Sequence, residues 1–285
     1  MNSPLPPFDL DGFLLNALRE DVGDGDHTSL STVPAEASGA ARLLVKEDGI
    51  LAGTDIARRV FELVDPTLRF VPIIADGTRV SKGEVAFTVE GSSRSILTSE
   101  RLVLNIMQRM SGIATKTAHY TSLIEDTGCK LLDTRKTTPG FRYFEKLAVR
   151  IGGGVNHRYG LFDMILVKDN HIDFAGGVVH ALSKVKQYME EKGLYLKVEV
   201  EARNLDEVKT ILEQNIAFRI MLDNFTPERM REAVAFIDGR VETEASGGIT
   251  EATIRDYALT GVNYISVGAL THQIKSLDLS LKAVK

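Results

Sequence analysis

The runs KVEVEA (197–202), RIMLDN (219–224), VETEAS (241–246) and NYISVG (263–268) read as four β-strands. Glu201, Asp223, Ala245 and Val267 occupy equivalent places in them, each 22 residues after the last. Helix signals lie between the runs: Asn204 with Glu207 three residues on, Thr226 before Pro227, and Thr250 before Glu251. Strand plus helix in so short a unit implies a β/α repeat. Upstream, LLDTRKT (131–137) and MILVKDN (164–170) supply two similar strands ending near Arg135 and Lys168, and FEKLAVRI and VVHALSKVKQYMEEK read as helices between strands. Six strands alternating with helices predict a parallel α/β barrel or a doubly wound sheet.

Residues 42–90 show short β-prone runs separated by glycine turns, and predict a sheet-rich N-terminal region. Before it, Leu10, Phe13, Leu14, Ala17 and Leu18 recur at helical spacing, and the helix stops in EDVGDGDHTS (20–29). After it, Ser99 and Glu100 open a helix whose buried stripe is Leu102, Val103, Ile106, Met107 and Met110. Arg101 stands beside that stripe, on the face of Asn105 and Gln108.

The chain has 285 residues with 34 Lys+Arg against 39 Asp+Glu, a formal charge of -5. That balance excludes a polycationic nucleic-acid surface but permits a local basic site. With 44% hydrophobic and 26% charged residues, the composition is that of an ordinary globular protein. The lone Cys129 excludes a disulfide framework or cysteine-cluster metal site and suits a reducing compartment, where it reads as a packing residue. The opening MNSPLPPFDLDGFLLNALRED has no basic segment followed by an apolar core, and the apolar runs are too short to span a bilayer. No secretory leader, no membrane partner and a cytoplasmic location are expected.

In α/β barrels, chemistry sits at the carboxyl ends of the strands. Glu201, Asp223, Ser246 and Gly268 are therefore expected on one rim with Arg135, Lys136 and Lys168, and with His157 and Arg158 of GGGVNHRYG. Such residues taken singly are often solvated strand ends. Their convergence in an acidic chain implies a focused site for a polyanionic small molecule. Gly247, Gly248 and Gly268 end the last two strands, where amides at a following helix N-terminus bind phosphate. Glu201 and Asp223 suit a magnesium ion or sugar hydroxyls, or else are carboxylates neutralised by neighbouring cations. The histidines 27, 119, 171, 180 and 272 show no metal-ligand spacing, and no nucleophile with a positioned base is apparent.

Taken in order, EDVGDGDHTS, SERLVLNIMQRMSGIAT, DTRKTTPG, EKLAVRIGGGVNHRYGL, ILVKDNHI, VEVEA, LDNF and EASGGI resemble the quinolinate phosphoribosyltransferases of NAD biosynthesis over nearly the whole chain. The resemblance implies an incomplete parallel α/β barrel with an N-terminal α+β open-sheet domain, divided as 1–115, 116–272 and a C-terminal segment, 273–285, packing back on the first domain. It implies transfer of phosphoribose from phosphoribosyl pyrophosphate (PRPP) to quinolinate with decarboxylation, using magnesium and no organic cofactor. Lys136, Lys168, Glu201 and Asp223 would be catalytic. Arg101, Arg135, Lys136, Thr137, His157, Arg158 and Lys168 would bind quinolinate and pyrophosphate. Glu201 and Asp223 would serve ribose and magnesium, and Ser246, Gly247, Gly248, Val267, Gly268 and Ala269 the 5'-phosphate. A homodimer is implied in which Arg101 reaches the partner's site. Two alternatives stay open: the same fold acting on another acceptor, such as a nicotinate phosphoribosyltransferase or a molybdenum-locus homologue, and a non-catalytic anion sensor.

Overall fold

The computed structural model describes residues 5–284. The first four residues of the opening segment read for a leader lie outside them.

The N-terminal half contains α1 (Leu10–Val22), α2 (His27–Thr32), β1 (Ser38–Val45), β2 (Gly49–Ile50), α3 (Thr54–Val64), β3 (Arg69–Pro72), β4 (Arg79–Val80), β5 (Val85–Ser92) and α4 (Ser93–Ser122). The C-terminal half contains β6 (Lys130–Leu132), α5 (Arg142–Ile151), β7 (Ile165–Val167), α6 (Asp169–Ala175), α7 (Val178–Lys192), β8 (Val198–Ala202), α8 (Leu205–Glu213), β9 (Arg219–Asp223), α9 (Pro227–Ile237), β10 (Glu242–Ser246), α10 (Ile254–Ala258), β11 (Tyr264–Ser266), α11 (Ala269–His272) and β12 (Leu279–Val284).

The last six strands before β12 form one parallel sheet in the order β6, β11, β10, β9, β8, β7. This is the expected barrel, and it is incomplete: no ladder joins β6 to β7, and an isolated parallel bridge pairs Leu132 with Val155 at the gap. Val198, Val200, Ala202, Ile220, Leu222, Ala245 and Ile265 pack into the hydrophobic core. The strand residues between them turn inward, and they are largely charged or polar. That alternation departs from the continuous apolar run usual in a buried parallel strand.

The 22-residue period is correct for the strands but not for every side chain. Asp223 pairs with Ser246 and Ala245 with Leu222. Ala245 and Val267 therefore face the outer core, not the site, because one extra residue in the connection reverses the face. Glu201 pairs with Met221, which places Asp223 one pleat nearer the rim than Glu201.

Helix α4 is the spine. It runs without a break through residue 115 and packs against α1, α3, α5 and the antiparallel sheet ordered β12, β1, β5, β3. Ser111 Oγ receives the Ala52 amide at 2.9 Å, and Thr115 Oγ the Ile50 amide at 2.8 Å, so hydroxyls on the helix satisfy an otherwise bare edge. The C-terminal segment returns along the same helix through Leu277 N to Gln108 O at 2.9 Å, and β12 then pairs with β1.

Several elements were not legible locally. Helix α4 begins at Ser93 and not at Ser99, capped by Ser92 Oγ accepting from the Ser95 amide. The sheet-rich stretch contains α3, whose N-terminus is capped from afar by Asp76 accepting the amides of Gly53 and Thr54. Asp26 caps α2 within the motif read as a turn, α6 follows Lys168 directly, and α10 starts at Ile254, later than Thr250 suggested.

Cys129 is 8% exposed, and burial pushes its thiol up to about 12. The native protein is expected to resist alkylation at pH 8 and to take up one equivalent only after unfolding, as intact mass will show.

Candidate active site

At the carboxyl ends of the barrel strands lies a cavity of about 310 Å³, lined by Thr134, Arg135, Lys136, His157, Arg158, Leu166, Lys168, Met221, Glu244, Ser246 and Ser266. The strands thus bring six expected site residues together. A larger hollow of about 530 Å³ opens at the opposite end, lined in part by Lys197, Phe218 and Glu242, and shares only His157 and Arg158 with the first. Its size does not make it the active site, because the salt bridges of Arg219 to Glu242 and of Lys146 to Asp133 already occupy its main cations.

The rim differs in charge balance. Arg135 and Lys136 make no side-chain hydrogen bond or ion pair among the described residues, and the Arg158 guanidinium donates only to the Met164 carbonyl, at 3.2 Å. Burial and then the Arg135 charge hold the Arg158 guanidinium below its usual range. Like charges held close and left unpaired define an anion site. The Lys136 stem packs beside Gly268, where an added Cβ would lie 2.9 Å from its Cδ. This sets Lys136 toward the turn after β11, and Arg135 toward Arg158.

Acids behind the rim hold this arrangement. Asp133 accepts Lys146 Nζ at 2.5 Å, the His157 amide at 2.8 Å and Asn156 Nδ2 at 2.6 Å. Glu145, the residue before Lys146 on α5, accepts Arg109 Nε at 2.9 Å and the Thr138 amide at 3.1 Å, and Thr271 Oγ donates to the Lys136 carbonyl at 2.7 Å. Two adjacent buried charges on one helix therefore fix both walls of the site. Sequence reading missed Asp133, Glu145, Lys146 and Asn156, although charges within FEKLAVRI that fall on its buried face were an available signal.

On the cavity floor, His157 Nε2 lies 3.0 Å from Glu199 and 3.4 Å from Glu244, while Nδ1 accepts the Arg158 amide at 2.7 Å. Burial opposes a charged imidazole, but the Glu244 and Glu199 carboxylates outweigh it and hold the group up. Both ring nitrogens are engaged within the chain, and the Arg158 amide is spent on one of them, so His157 offers no free nitrogen to a substrate. Arg219 Nη1 completes the cluster 3.2 Å from Glu244. Glu199 and Glu244 were also missed, yet their alternation with valine and threonine points them inward.

Glu201 lies 3.8 Å from Lys168 Nζ, and burial followed by the Asp223 charge pushes its carboxyl up. Mutually repelling oxygen donors of this kind fit a hard divalent cation. Asp223 accepts Asn224 Nδ2 at 2.5 Å. At Gly247 φ is +98°, and a Cβ there would meet Asn224 at 2.2 Å, so the turn after β10 admits only glycine. Gly248 follows it on the exposed rim. Because α10 begins only at Ile254, phosphate would meet the turn's own amides and not a helix N-terminus.

Glu201, Asp223, Gly247, Gly248, Gly268 and Ala269 do not line that cavity, and neither do Thr137, Val267 and Arg101, which depart further from expectation. Thr137 Oγ is taken by Arg142 Nε at 2.9 Å. Val267 has its side chain in the core and its amide bonded to Leu132 O, which leaves its carbonyl and the neighbouring Gly268 and Ala269 on the rim. Arg101 is exposed on α4, with no ion pair among the described residues, and does not line its own chain's cavity.

A barrel with an unneutralised cationic rim, paired carboxylates and glycine turns defines an enzyme for a phosphorylated, polyanionic substrate. Residues 26–111 match the model of the quinolinate phosphoribosyl transferase N-terminal domain, and residues 113–282 that of its C-terminal domain. The chain therefore belongs to the quinolinate phosphoribosyltransferases, decarboxylating enzymes with a role in NAD biosynthesis. It is 48% identical over 292 residues to quinolinate phosphoribosyltransferase (decarboxylating) 1b of Nicotiana tabacum, covering 97% of this chain and 83% of that one. A probable nicotinate-nucleotide pyrophosphorylase (carboxylating) of Bacillus subtilis is 42% identical, with 92% and 89% covered. Among solved structures, NadC from Streptococcus pyogenes superposes with a TM-score of 0.91 at 39% identity, covering 99% of this chain and 100% of that one. The nicotinate-nucleotide pyrophosphorylase of Francisella tularensis gives 0.92 at 40%, with 99% and 98% covered.

Lys146 and Asp133 are both fully buried. Lys146→Met is expected to destabilise the fold by about 3–5 kcal/mol, because it strands a buried carboxylate, and Asp133→Asn in the same chain to recover most of the loss. Urea unfolding of the three proteins is the check.

Proposed function

We propose that this chain transfers phosphoribose from PRPP to the ring nitrogen of quinolinate and releases pyrophosphate, carbon dioxide and nicotinate mononucleotide. The observation that carries the reading is that Arg135 and Arg158 line one cavity with no salt bridge to either among the described residues. Two adjacent carboxylates on one small ring are the complement of that pair. The glycine turns and Lys136 accept the phosphates of the donor.

Breaking the C1–oxygen bond of PRPP leaves a positive, oxocarbenium-like sugar and a departing pyrophosphate. Lys136 and Lys168 stabilise the leaving charge, while Glu201 and Asp223 orient the ribose hydroxyls. Magnesium, held by Glu201 and Asp223 directly or through water, would add further neutralisation of the pyrophosphate. Once the nitrogen is ribosylated, the pyridinium accepts the electron pair released as the carbon–carboxylate bond breaks, and a proton takes the place of carbon dioxide. The substrate ring itself supplies the electron sink, so the reading requires no organic cofactor.

The proposed functional units are 1–115, which carries Arg101, the barrel 116–272, and 273–285. The protein would work as a homodimer, Arg101 completing the partner's site. Leu97, one turn from Arg101 on α4, is 45% exposed, as suits a face covered by a second copy. A cytoplasmic location fits the single buried thiol. No helix among the described residues is long and apolar enough to cross a membrane.

Carbon dioxide release from carboxyl-labelled quinolinate with PRPP and magnesium tests the activity, and no release above the protein-free control would refute it. Asp223→Asn is expected to lower kcat/KM for PRPP by about 10²-fold and leave quinolinate binding within threefold in calorimetry. For the shared site, Arg101→Ala and Lys136→Ala homodimers should each be nearly inactive. Dissociating and reassociating the mixture should restore activity, since a heterodimer contains one intact site. Purified heterodimers no more active than either parent would place Arg101 outside the partner's site.

A further inference from the structure

The wall of the cavity that carries His157 and Arg158 has little backbone support. Past the Leu132 to Val155 bridge, the chain leaves β6 and reaches β7 only at Ile165, so residues 156–164 cross the open seam of the barrel without a ladder. Yet this segment must hold Arg158 near Arg135, which repels it. Farther along the segment Arg142 Nη1 donates to the Tyr159 carbonyl at 3.0 Å, and the His157 ring lies against Glu199 and Glu244, but the backbone of His157 itself is held by one buried ion pair. Asp133 accepts the His157 amide at 2.8 Å, and Lys146 Nζ donates to the His157 carbonyl at 3.1 Å, so the pair holds both backbone groups of the residue before Arg158. Asn156 adds bonds to Asp133 Oδ2 at 2.6 Å and to the Lys146 carbonyl at 2.9 Å.

We propose that the Asp133–Lys146 ion pair is the positioning element of the acceptor site: it bridges the barrel's seam with side chains and sets the separation of Arg135 and Arg158. Asp133 lies two residues before Arg135, so a single carboxylate ties the backbone of one arginine to that of the other. Neither member of the pair lines the rim cavity, so its action on the substrate passes through the two arginines. The phosphate side is tied elsewhere. The Lys136 carbonyl and Thr138 amide are held by Thr271 and Glu145, and the turns after β10 and β11 have their own bonds. Loss of the pair should therefore loosen the grip on the dicarboxylate and spare the donor.

This inference rests on the quinolinate reading of the site. The test is the neutral double variant Asp133→Asn/Lys146→Met, which removes both charges together and leaves no buried ion unpaired. The amide oxygen introduced at position 133 can still accept from the His157 amide, but the thioether introduced at position 146 cannot donate to the His157 carbonyl. Quinolinate and magnesium–PRPP are titrated separately by calorimetry, with unfolding curves to establish that the variant is folded. The expected result is quinolinate binding at least about tenfold weaker, with PRPP binding within about threefold of the wild type. A general role in holding the fold would weaken both ligands together. Equal losses, or unchanged quinolinate affinity in a folded variant, overturn the proposal. If the double variant does not fold, Asn156→Ala takes its place, since it removes two donors from the same carboxylate and carbonyl at a partly exposed position. It should weaken quinolinate by about threefold or more and spare PRPP, and unchanged quinolinate binding there overturns the proposal equally. Wild-type protein that binds PRPP but no quinolinate would refute the acceptor reading itself, and this proposal with it.

Discussion

The constraint on which the structure depends is the need to hold positive charges close together and unpaired. Arg135, Arg158 and Lys136 stand on one rim with no salt bridge among the described residues, although Glu199 and Asp163 act on Arg158 from farther off, a state that water and flexible side chains would ordinarily relieve by spreading the cations apart. The chain prevents that from behind. Asp133, Glu145, Glu199 and Glu244 are all buried beneath the rim, and each bonds to, or lies beside, the backbone or side chain that carries a cation outward. Buried carboxylates are costly, and here each is matched by a lysine, an arginine or a histidine on its inner side. The balance leaves the rim cations without a salt bridge among the described residues, as the proposed anionic substrate requires.

The barrel interior follows from the same requirement. A parallel barrel filled with aliphatic side chains would have no polar framework with which to orient rim cations. Here the inward positions of β8, β9 and β10 carry Glu199, Arg219 and Glu244, which form an ionic floor around His157. The outward positions keep the ordinary aliphatic packing against the helices. The open seam between β6 and β7 is tolerable because side-chain bonds replace the absent ladder. The N-terminal sheet packs on α4, which also packs on α5 of the barrel half, and Arg101 lies exposed on that helix.

Much of this was legible in the sequence where information is local. The strand and helix alternation, the glycine turns and the rim cations all follow from short motifs, and they lie where expected. What failed depends on partners far along the chain. The cap of α3 comes from Asp76, and the burial of Lys146 is intelligible only once Asp133 is beside it. The equal spacing of Glu201, Asp223, Ala245 and Val267 did not bring equal facing, because the connection shifts the ladder by one between β9 and β10, whereas Ser246 lines the rim cavity as expected. The acids of KVEVEA and VETEAS were visible as alternation, and an acidic, inward strand face was the available sign that this barrel has a polar interior.

In the proposed function, two neighbouring cations lack a partner until a dicarboxylate supplies it. Ligand-linked stability tests this directly, because a ligand that binds the folded state raises its unfolding midpoint in proportion to RT ln(1 + [L]/Kd). The measurement is the melting temperature of the wild-type protein in increasing quinolinate, compared with equal concentrations of nicotinate at the same ionic strength. A saturable rise with quinolinate, with nicotinate requiring at least about tenfold higher concentration for the same shift, is predicted from the cation each missing carboxylate leaves unpaired. Equal shifts from the two acids, or none from quinolinate, would contradict it.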